Sequence, residues 1–250
     1  MIPYNLLFTI LEQVDSTNNY AMNLVHNGSA KHSEAFFTHY QTSGKGQRGK
    51  IWDSAIGKNI LQSIVIEPCD AFYSKPFVLS ALISNTIAAF LENIVKESVQ
   101  VKWPNDIYIR DRKAGGVLIE NSYRGNQWKW AIIGMGLNIN EYFNEFTYTK
   151  PISLIEITEK EYPVVEMAQT LHSLIVTNLE KELSNEDIMN DYNERLYKKN
   201  QTVALLYQNN IIHTTIKEVT QEGKLITHDS IIRAFDFGEV QWQLNHDSTG

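Results

Sequence analysis

Between residues 99 and 140 the chain runs through four strand-like segments with no room for a helix between them: VQVKW, DIYIR, AGGVLIEN and KWAIIGMGLNIN. Strands joined by tight turns pair antiparallel, because a parallel partner needs a crossover of a dozen or more residues. An antiparallel meander is therefore the centre of what this chain can fold into. Ahead of it, NLLFTI reads as a strand. DSTNNYAMNLVHNG reads as a helix capped by Ser16 or Thr17, with Tyr20, Ala21, Leu24 and Val25 on its apolar face and Gly28 at its end. EAFFTHYQ and the alternating stretch from Asn59 to Glu67 are two more strands. KPFVLSALISNTIAAFLENIVKE is apolar almost all round and reads as a buried helix, too polar at Ser80, Ser84 and Asn85 to span a membrane.

Beyond the meander, residues 141–162 read as irregular. Helical periodicity returns in PVVEMAQTLHSLIVTNLEKEL behind Pro163, and again in SNEDIMNDYNERL, where Ser184 and Asp187 approach a capping box. From residue 197 the pattern changes to short strands with turns at Asn209-Asn210, Glu222-Gly223 and His228-Asp229, a small β-barrel or sandwich of about 50 residues. The predicted class is α+β: helices on a mixed, mostly antiparallel sheet over residues 1–196, a small all-β module over 197–245, and a disordered tail over 246–250.

Two stretches of this frame carry chemistry. QTSGKGQRGKIW (41–52) sets Gly44, Gly46 and Gly49 among Lys45, Arg48 and Lys50. It has the G-x-x-x-x-G-K spacing of a P-loop, but Ile51 stands where the metal-binding hydroxyl belongs, and a strand follows where a P-loop needs a helix. The residues alone leave two readings, a solvated basic hairpin or a cradle for an anion such as phosphate. In GMGLNIN, Gly134 and Gly136 alternate along a strand and so clear side chains from one sheet face, which makes a groove with Asn138 next on that face. Lys102 and Asp106 bracket the Pro-Asn-Asp turn, and Lys113 precedes Gly115 and Gly116.

Other chemistries find no support. The net charge of −7 gives no general attraction for nucleic acid or anionic membrane, and the single cysteine, Cys69, allows no internal disulfide and no cysteine-based zinc site. The seven histidines show no metal-ligand spacing. No targeting segment is recognised at the N-terminus, so the expected location is the cytoplasm.

The motifs DSTN, QTSGKGQRGKIW, VKWPNDIYI, KAGGVLIE and GMGLNIN, in this order, resemble those of the biotin–protein ligases; PISLIEIT and the terminal module ending in GEVQW are also similar to that family. The resemblance implies the family's catalytic fold with an SH3-like C-terminal barrel. It is to the monofunctional type, since no room precedes the first motif for a DNA-binding domain. It implies ATP and biotin as substrates with Mg²⁺ on the departing pyrophosphate, through ligands the motifs do not name. The acceptor would be a biotin carboxyl carrier protein, with no nucleic acid or membrane partner, and the enzyme a monomer or homodimer.

Residue by residue, the resemblance assigns biotin's ureido ring to Ser16, Thr17, Asn18 and Gln41, and biotin with the adenylate to Gly44, Lys45, Gly46 and Gln47. Lys113 would reach the carboxylate and phosphate oxygens. Arg48 would act in catalysis with Lys113 and, with Lys50, Lys102 and Asn105, serve the nucleotide; Trp52 would stack on adenine, and Gly136 and Asn138 would line its seat. Asp106 would orient or deprotonate the incoming lysine. The chain departs from the family loop, Gly-Arg-Gly-Arg-Arg-Gly-x-x-Trp, at Gln47, where the family has its second arginine. Lipoate ligation and a non-catalytic sensor of biotin or its adenylate are the alternatives.

Overall fold

The meander pairs as its turns require. β4 (Gln100–Lys102), β5 (Asp106–Ile109), β6 (Arg112–Arg124) and β7 (Gln127–Leu137) run antiparallel in chain order. The computed structural model describes residues 7–69, 72, 75–143 and 150–243. Within these, β3 (Ile60–Ile66) pairs antiparallel with β7 and with β2 (Glu34–Gln41), while β1 (Phe8–Val14) joins β2 in parallel. The result is a seven-stranded mixed sheet in the order β1-β2-β3-β7-β6-β5-β4. The first strand starts and ends later than NLLFTI, whose first two residues lie outside those described.

The parallel pair follows from the crossover helix α1 (Thr17–His26), which returns the chain to the same end of the sheet. Tyr20, Ala21, Leu24 and Val25 pack against Phe36, Val65 and Ile132, so the predicted apolar face is the buried one. Because β1 and β2 are parallel, the loops after them, residues 15–16 and 42–52, emerge side by side at the opposite end, where both strands finish.

The opposite face of the sheet is covered by α2 (Pro76–Val95) and α4 (Val164–Leu179). Helix α2 is long and apolar enough to cross a bilayer, but 67% of its apolar window is buried within the protein. Its Leu79, Ile83 and Ile87 are wholly buried, and each contributes roughly 1.5–3 kcal/mol relative to exposure. Covering both faces also changes the expectation for β3. Every one of its residues is buried, polar ones included, and parity survives only as a choice of partner: Val65 packs with α1, and Ile60, Ile64 and Ile66 join the main core.

Part of the stretch expected to be irregular is helical. α3 (Leu154–Thr158) is a single turn started by a capping box, in which Ser153 and Glu156 satisfy each other's main-chain amides. Residues 144–149 of that stretch lie outside those described. α5 (Asn185–Glu194) begins at Ser184, whose side chain accepts from the Asp187 amide at 3.0 Å, as expected.

The C-terminal module is a five-stranded antiparallel sheet of β8 (Thr202–Tyr207), β9 (Asn210–Val219), β10 (Leu225–His228), β11 (Ile232–Phe235) and β12 (Val240–Gln243), in the order β11-β10-β9-β8-β12. Its first turn falls at Gln208-Asn209, one residue before the predicted place, with φ of 48° and 63° at the two residues, the backbone of a tight hairpin turn. The module touches the rest of the chain at the VKWPND turn, where Trp103 Nε1 donates to the Gly223 carbonyl at 2.9 Å. The tail expected to be disordered, 246–250, lies outside the described residues.

Candidate active site

The glycines of β7 do what their alternation predicts. Ser63 of β3 and Leu118 of β6 flank Gly134 in the sheet, and Leu61 and Gly116 flank Gly136. A Cβ at Gly134 would stand 2.2 Å from the Asn18 amide oxygen, and one at Gly136 only 2.4 Å from the Trp52 indole. The bare strand thus seats two side chains next to each other on the α1 face, Asn18 from α1 and Trp52 from the glycine-rich loop.

Around Asn18 lies a buried polar cluster that is uncharged apart from Glu120 at its edge. Ser16, Thr17, Asn18 and Ser63 are all at most 3% exposed. Gln41, at the end of β2, accepts from the Thr17 amide at 2.8 Å and from its hydroxyl at 3.2 Å. Ser63 Oγ lies 2.7 Å from Thr17 Oγ1 and 2.6 Å from Asn18 Oδ1. The Asn18 amide nitrogen donates to Glu120 Oε2 at 2.7 Å. Ser63 and Glu120 were not singled out in the sequence. Their signals were faint: Gln62-Ser63 is a polar pair in an apolar strand, and Glu120 shares the parity of Gly116 in β6.

Around Trp52 lies a charged cluster. Lys113 Nζ is 2.6 Å from Asp106 Oδ1 and 5.4 Å from the centre of the Trp52 ring. Gly116 adjoins this ion pair: a Cβ there would be in ordinary contact with it, 3.4 Å from Asp106 Oδ1. Lys102 is held by the Tyr108 hydroxyl at 3.2 Å, beside the rings of Tyr108 and Trp242. Burial pushes the Lys102 ammonium down to about 8, with Asp106 opposing the shift and Lys113 and Lys50 adding to it. An ammonium with so low a pKa, next to further cations, is a natural counterpart of a phosphate. The Trp52 Nε1 is buried with no hydrogen-bond partner among the described residues.

The glycine-rich loop is a tight hairpin. Trp52 N donates to the Gly44 carbonyl at 2.9 Å and Gly46 N to the Lys50 carbonyl at 2.7 Å. A single 3₁₀ turn, Gln47–Gly49, forms the tip with Arg48 at φ 55°. At Gly44 any Cβ would meet the Trp52 carbonyl at 2.3 Å. A pocket of ≈ 350 Å³ lies between this loop and Leu118 and Glu120 of β6.

The expected convergence of three loop cations on one anion is not what the structure holds. Lys45 pairs with Glu120 at 3.3 Å. Arg48 turns away to the C-terminal module, donating to the Gly238 carbonyl at 3.3 Å and lying 5.7 Å from the Phe237 ring centre. Lys50 alone faces the Lys102–Lys113 group. Gln47 is half-buried at the start of the turn. Two asparagines also serve the scaffold: Asn138 Nδ2 bonds the carbonyls of Lys113 and Ile152, and Asn105 bonds Val117 through both its side chain and its main chain.

Among the described residues no three His, Cys, Asp or Glu side chains converge as metal ligands. Asp106 and Glu120 are each committed to a lysine. The residues present do not fit a protein-built metal cage.

The family model of the biotin/lipoate A/B protein ligases matches residues 10–138, just over half of the chain and all of the groove. The chain belongs to this family. Among curated relatives of this biotin/lipoate ligase chain, the bifunctional ligase/repressor BirA of Escherichia coli (strain K12) is 28% identical over 238 residues, which cover 92% of the chain and 72% of the relative. Three further bacterial ligase/repressors align over 42–53% of the chain and 32–40% of their own length. Of solved structures, the biotin protein ligase from Aquifex aeolicus in complex with biotin and ATP superposes with a TM-score of 0.78 at 24% identity, covering 95% of this chain and 99% of the other. The Leishmania major biotin protein ligase in complex with biotinyl-5-AMP reaches 0.64 at 20% identity, over 92% and 98%. At these identities the two structures establish that the ligase fold is shared.

Proposed function

We propose that this chain is an ATP-dependent biotin–protein ligase, which makes biotinyl-5′-adenylate and passes the biotinyl group to a lysine of a biotin carboxyl carrier protein. The observation that carries the reading is the pair of adjoining seats on β7: an uncharged hydrogen-bonding cluster over Gly134, and an indole over Gly136 with cations beside it. A cyclic urea is neutral and offers two N–H donors and a carbonyl acceptor, which suits Ser16, Thr17, Asn18 and Gln41. A purine suits the face of Trp52. The bond to be made, carboxylate to α-phosphate, falls between the seats, within reach of Lys113.

In the first step a biotin carboxylate oxygen attacks the α-phosphorus of ATP, and the bond to the bridging oxygen of pyrophosphate breaks. Both reactants are anionic, so the fixed ammonium groups of Lys113, Lys102 and Lys50 offset their repulsion and stabilise charge in the transition state. Any magnesium would come as part of the MgATP substrate and would supply neutralising charge for the departing pyrophosphate, with no side chain of this chain assigned to hold it. Lys113 exchanges Asp106 for the substrate oxygens as they arrive, which leaves the Asp106 carboxylate free. In the second step the neutral amine of the acceptor lysine attacks the acyl carbon, AMP leaves with its phosphate oxygen, and the amine proton passes to Asp106. Stored as a mixed anhydride, the intermediate must be kept from water, and the hairpin over the ≈ 350 Å³ pocket is placed to do so.

The test is ATP-dependent attachment of biotin to a carrier domain, with lipoate as competitor and Lys113→Ala alongside. The expected result is biotin transfer that lipoate does not inhibit and a loss of at least about a hundredfold in Lys113→Ala. Preferential transfer of lipoate would replace the substrate, and tight biotin binding without transfer to any carrier would make the chain a sensor.

A further inference from the structure

The ion pair between Lys45 and Glu120 joins parts of the molecule that the reaction needs joined only at certain times. Lys45 belongs to the glycine-rich hairpin, and Glu120 to the rigid strand β6. The other Glu120 oxygen accepts from Asn18, the residue seated on Gly134, at 2.7 Å. One carboxylate therefore holds the lid with one oxygen and the floor of the uncharged pocket with the other. Lys45 is thereby drawn off from phosphate binding, in a loop that already has Gln47 at its tip.

We propose that Glu120 is a positioning residue that latches the glycine-rich loop over the bound acyl-adenylate, and that Lys45 serves this chain as the loop's half of the latch. This rests on the reading of the chain as a biotin–protein ligase. The same contact aligns the floor, because an acceptor at the Asn18 amide nitrogen turns its carbonyl oxygen toward Ser63. The latch is weak by construction: Lys45 is 41% and Glu120 29% exposed. A pair this open is worth no more than about a fivefold change in an equilibrium and is screened by salt. A weak latch suits a lid that must open in every turnover for the acceptor lysine.

The variants separate the two jobs of Glu120. Glu120→Gln keeps an acceptor for Asn18 and removes the charge, whereas Glu120→Ala removes both. Escape of biotinyl-adenylate into solution, with no carrier present, should be about two- to fivefold faster in Glu120→Gln and in Lys45→Met. The double variant should escape no faster than either single one. Raising the salt from 0.1 to 1 M should speed escape in the parent and not in Glu120→Gln. Of the two Glu120 substitutions, only Glu120→Ala should also raise the KM for biotin. Parent-like escape in Glu120→Gln, or effects of the two substitutions that multiply, would overturn the latch.

Proteolytic nicking of the hairpin in the ligand-free protein reads the same contact without any catalysis. It should be faster in both single variants, and equal nicking would count against the latch. A parent protein that fails to make biotinyl-adenylate at all, yet shows the nicking difference, would instead remove the ligase reading and leave the contact standing.

Discussion

Lys102 should make nucleotide binding depend on pH in a range where ATP itself titrates little. Its pKa is about 8 because the ammonium is buried between Tyr108 and Trp242 and faces Lys113 and Lys50. At pH 7 about nine-tenths of Lys102 is charged and at pH 9 about one-tenth, while phosphate, with a second pKa near 6, is already about nine-tenths ionised at pH 7 and changes little above it. If only the ammonium form receives the phosphates, the KM for ATP rises roughly tenfold between pH 7 and pH 9, or ~1.4 kcal/mol. Binding then takes up a proton, because the bound phosphate raises the Lys102 pKa. Biotin-dependent exchange between ATP and pyrophosphate is the suitable assay, since it omits the acceptor lysine and its own titration. The KM for biotin serves as the internal control, and Lys102→Met should abolish the slope. The sign for stability is independent of catalysis. The folded pKa lies below the unfolded 10.5, so the unfolded chain binds more protons between about pH 8 and 10.5 and the native state gains stability as pH rises through that range. A flat ATP KM in the parent, or an unchanged slope in Lys102→Met, would refute the placing of Lys102 at the phosphates.

Three further outcomes follow from the groove and its supports. Gly136→Ala sets a Cβ 2.4 Å from the Trp52 indole; displacing the ring at a cost of about 1–3 kcal/mol should raise the KM for ATP roughly five- to 150-fold, and an unaltered ATP KM would show that Trp52 does not carry the nucleotide. Gly134→Ala crowds Asn18 instead, so by titration calorimetry biotin should bind more weakly by a similar factor, and equal affinity would empty the uncharged cluster of its role. Ser153→Ala removes one side of the capping box of α3, which should cost about 1 kcal/mol and lower Tm by about 2–4 °C, with no change in Tm arguing that the turn is held by Leu154 alone.

The groove was legible because glycine at alternate strand positions has one physical consequence, a bare stripe on one sheet face, whatever the rest of the chain does. The meander and the helix faces were legible for a similar reason, since turns and periodicity act over a few residues. What escaped were contacts between residues far apart in the chain. Lys45 finds Glu120 across 75 positions and Arg48 finds Gly238 across 190, and nothing near either cation announces its partner. Three basic residues on one loop looked like a cluster, but a hairpin tip points them in different directions. The turn of α3 was legible in principle, since Ser153 and Glu156 have capping-box spacing, but one helical turn lacks the length that makes periodicity visible. The burial of both faces of β3 depended on which helices cover it, and that is decided elsewhere in the chain.

Arg48 at the Gly238 carbonyl, Lys102 beside Trp242 and Trp103 at Gly223 all tie the candidate site to the C-terminal module. Ribosomes deliver those residues after the whole of the seven-stranded sheet. A nascent chain that has folded its seven-stranded sheet already owns both seats on β7, but it lacks the surface against which the hairpin tip and the buried ammonium come to rest. The candidate site is therefore completed only once the segment through Trp242 has been made, and a chain terminated before it would carry a pocket without the groups that close it.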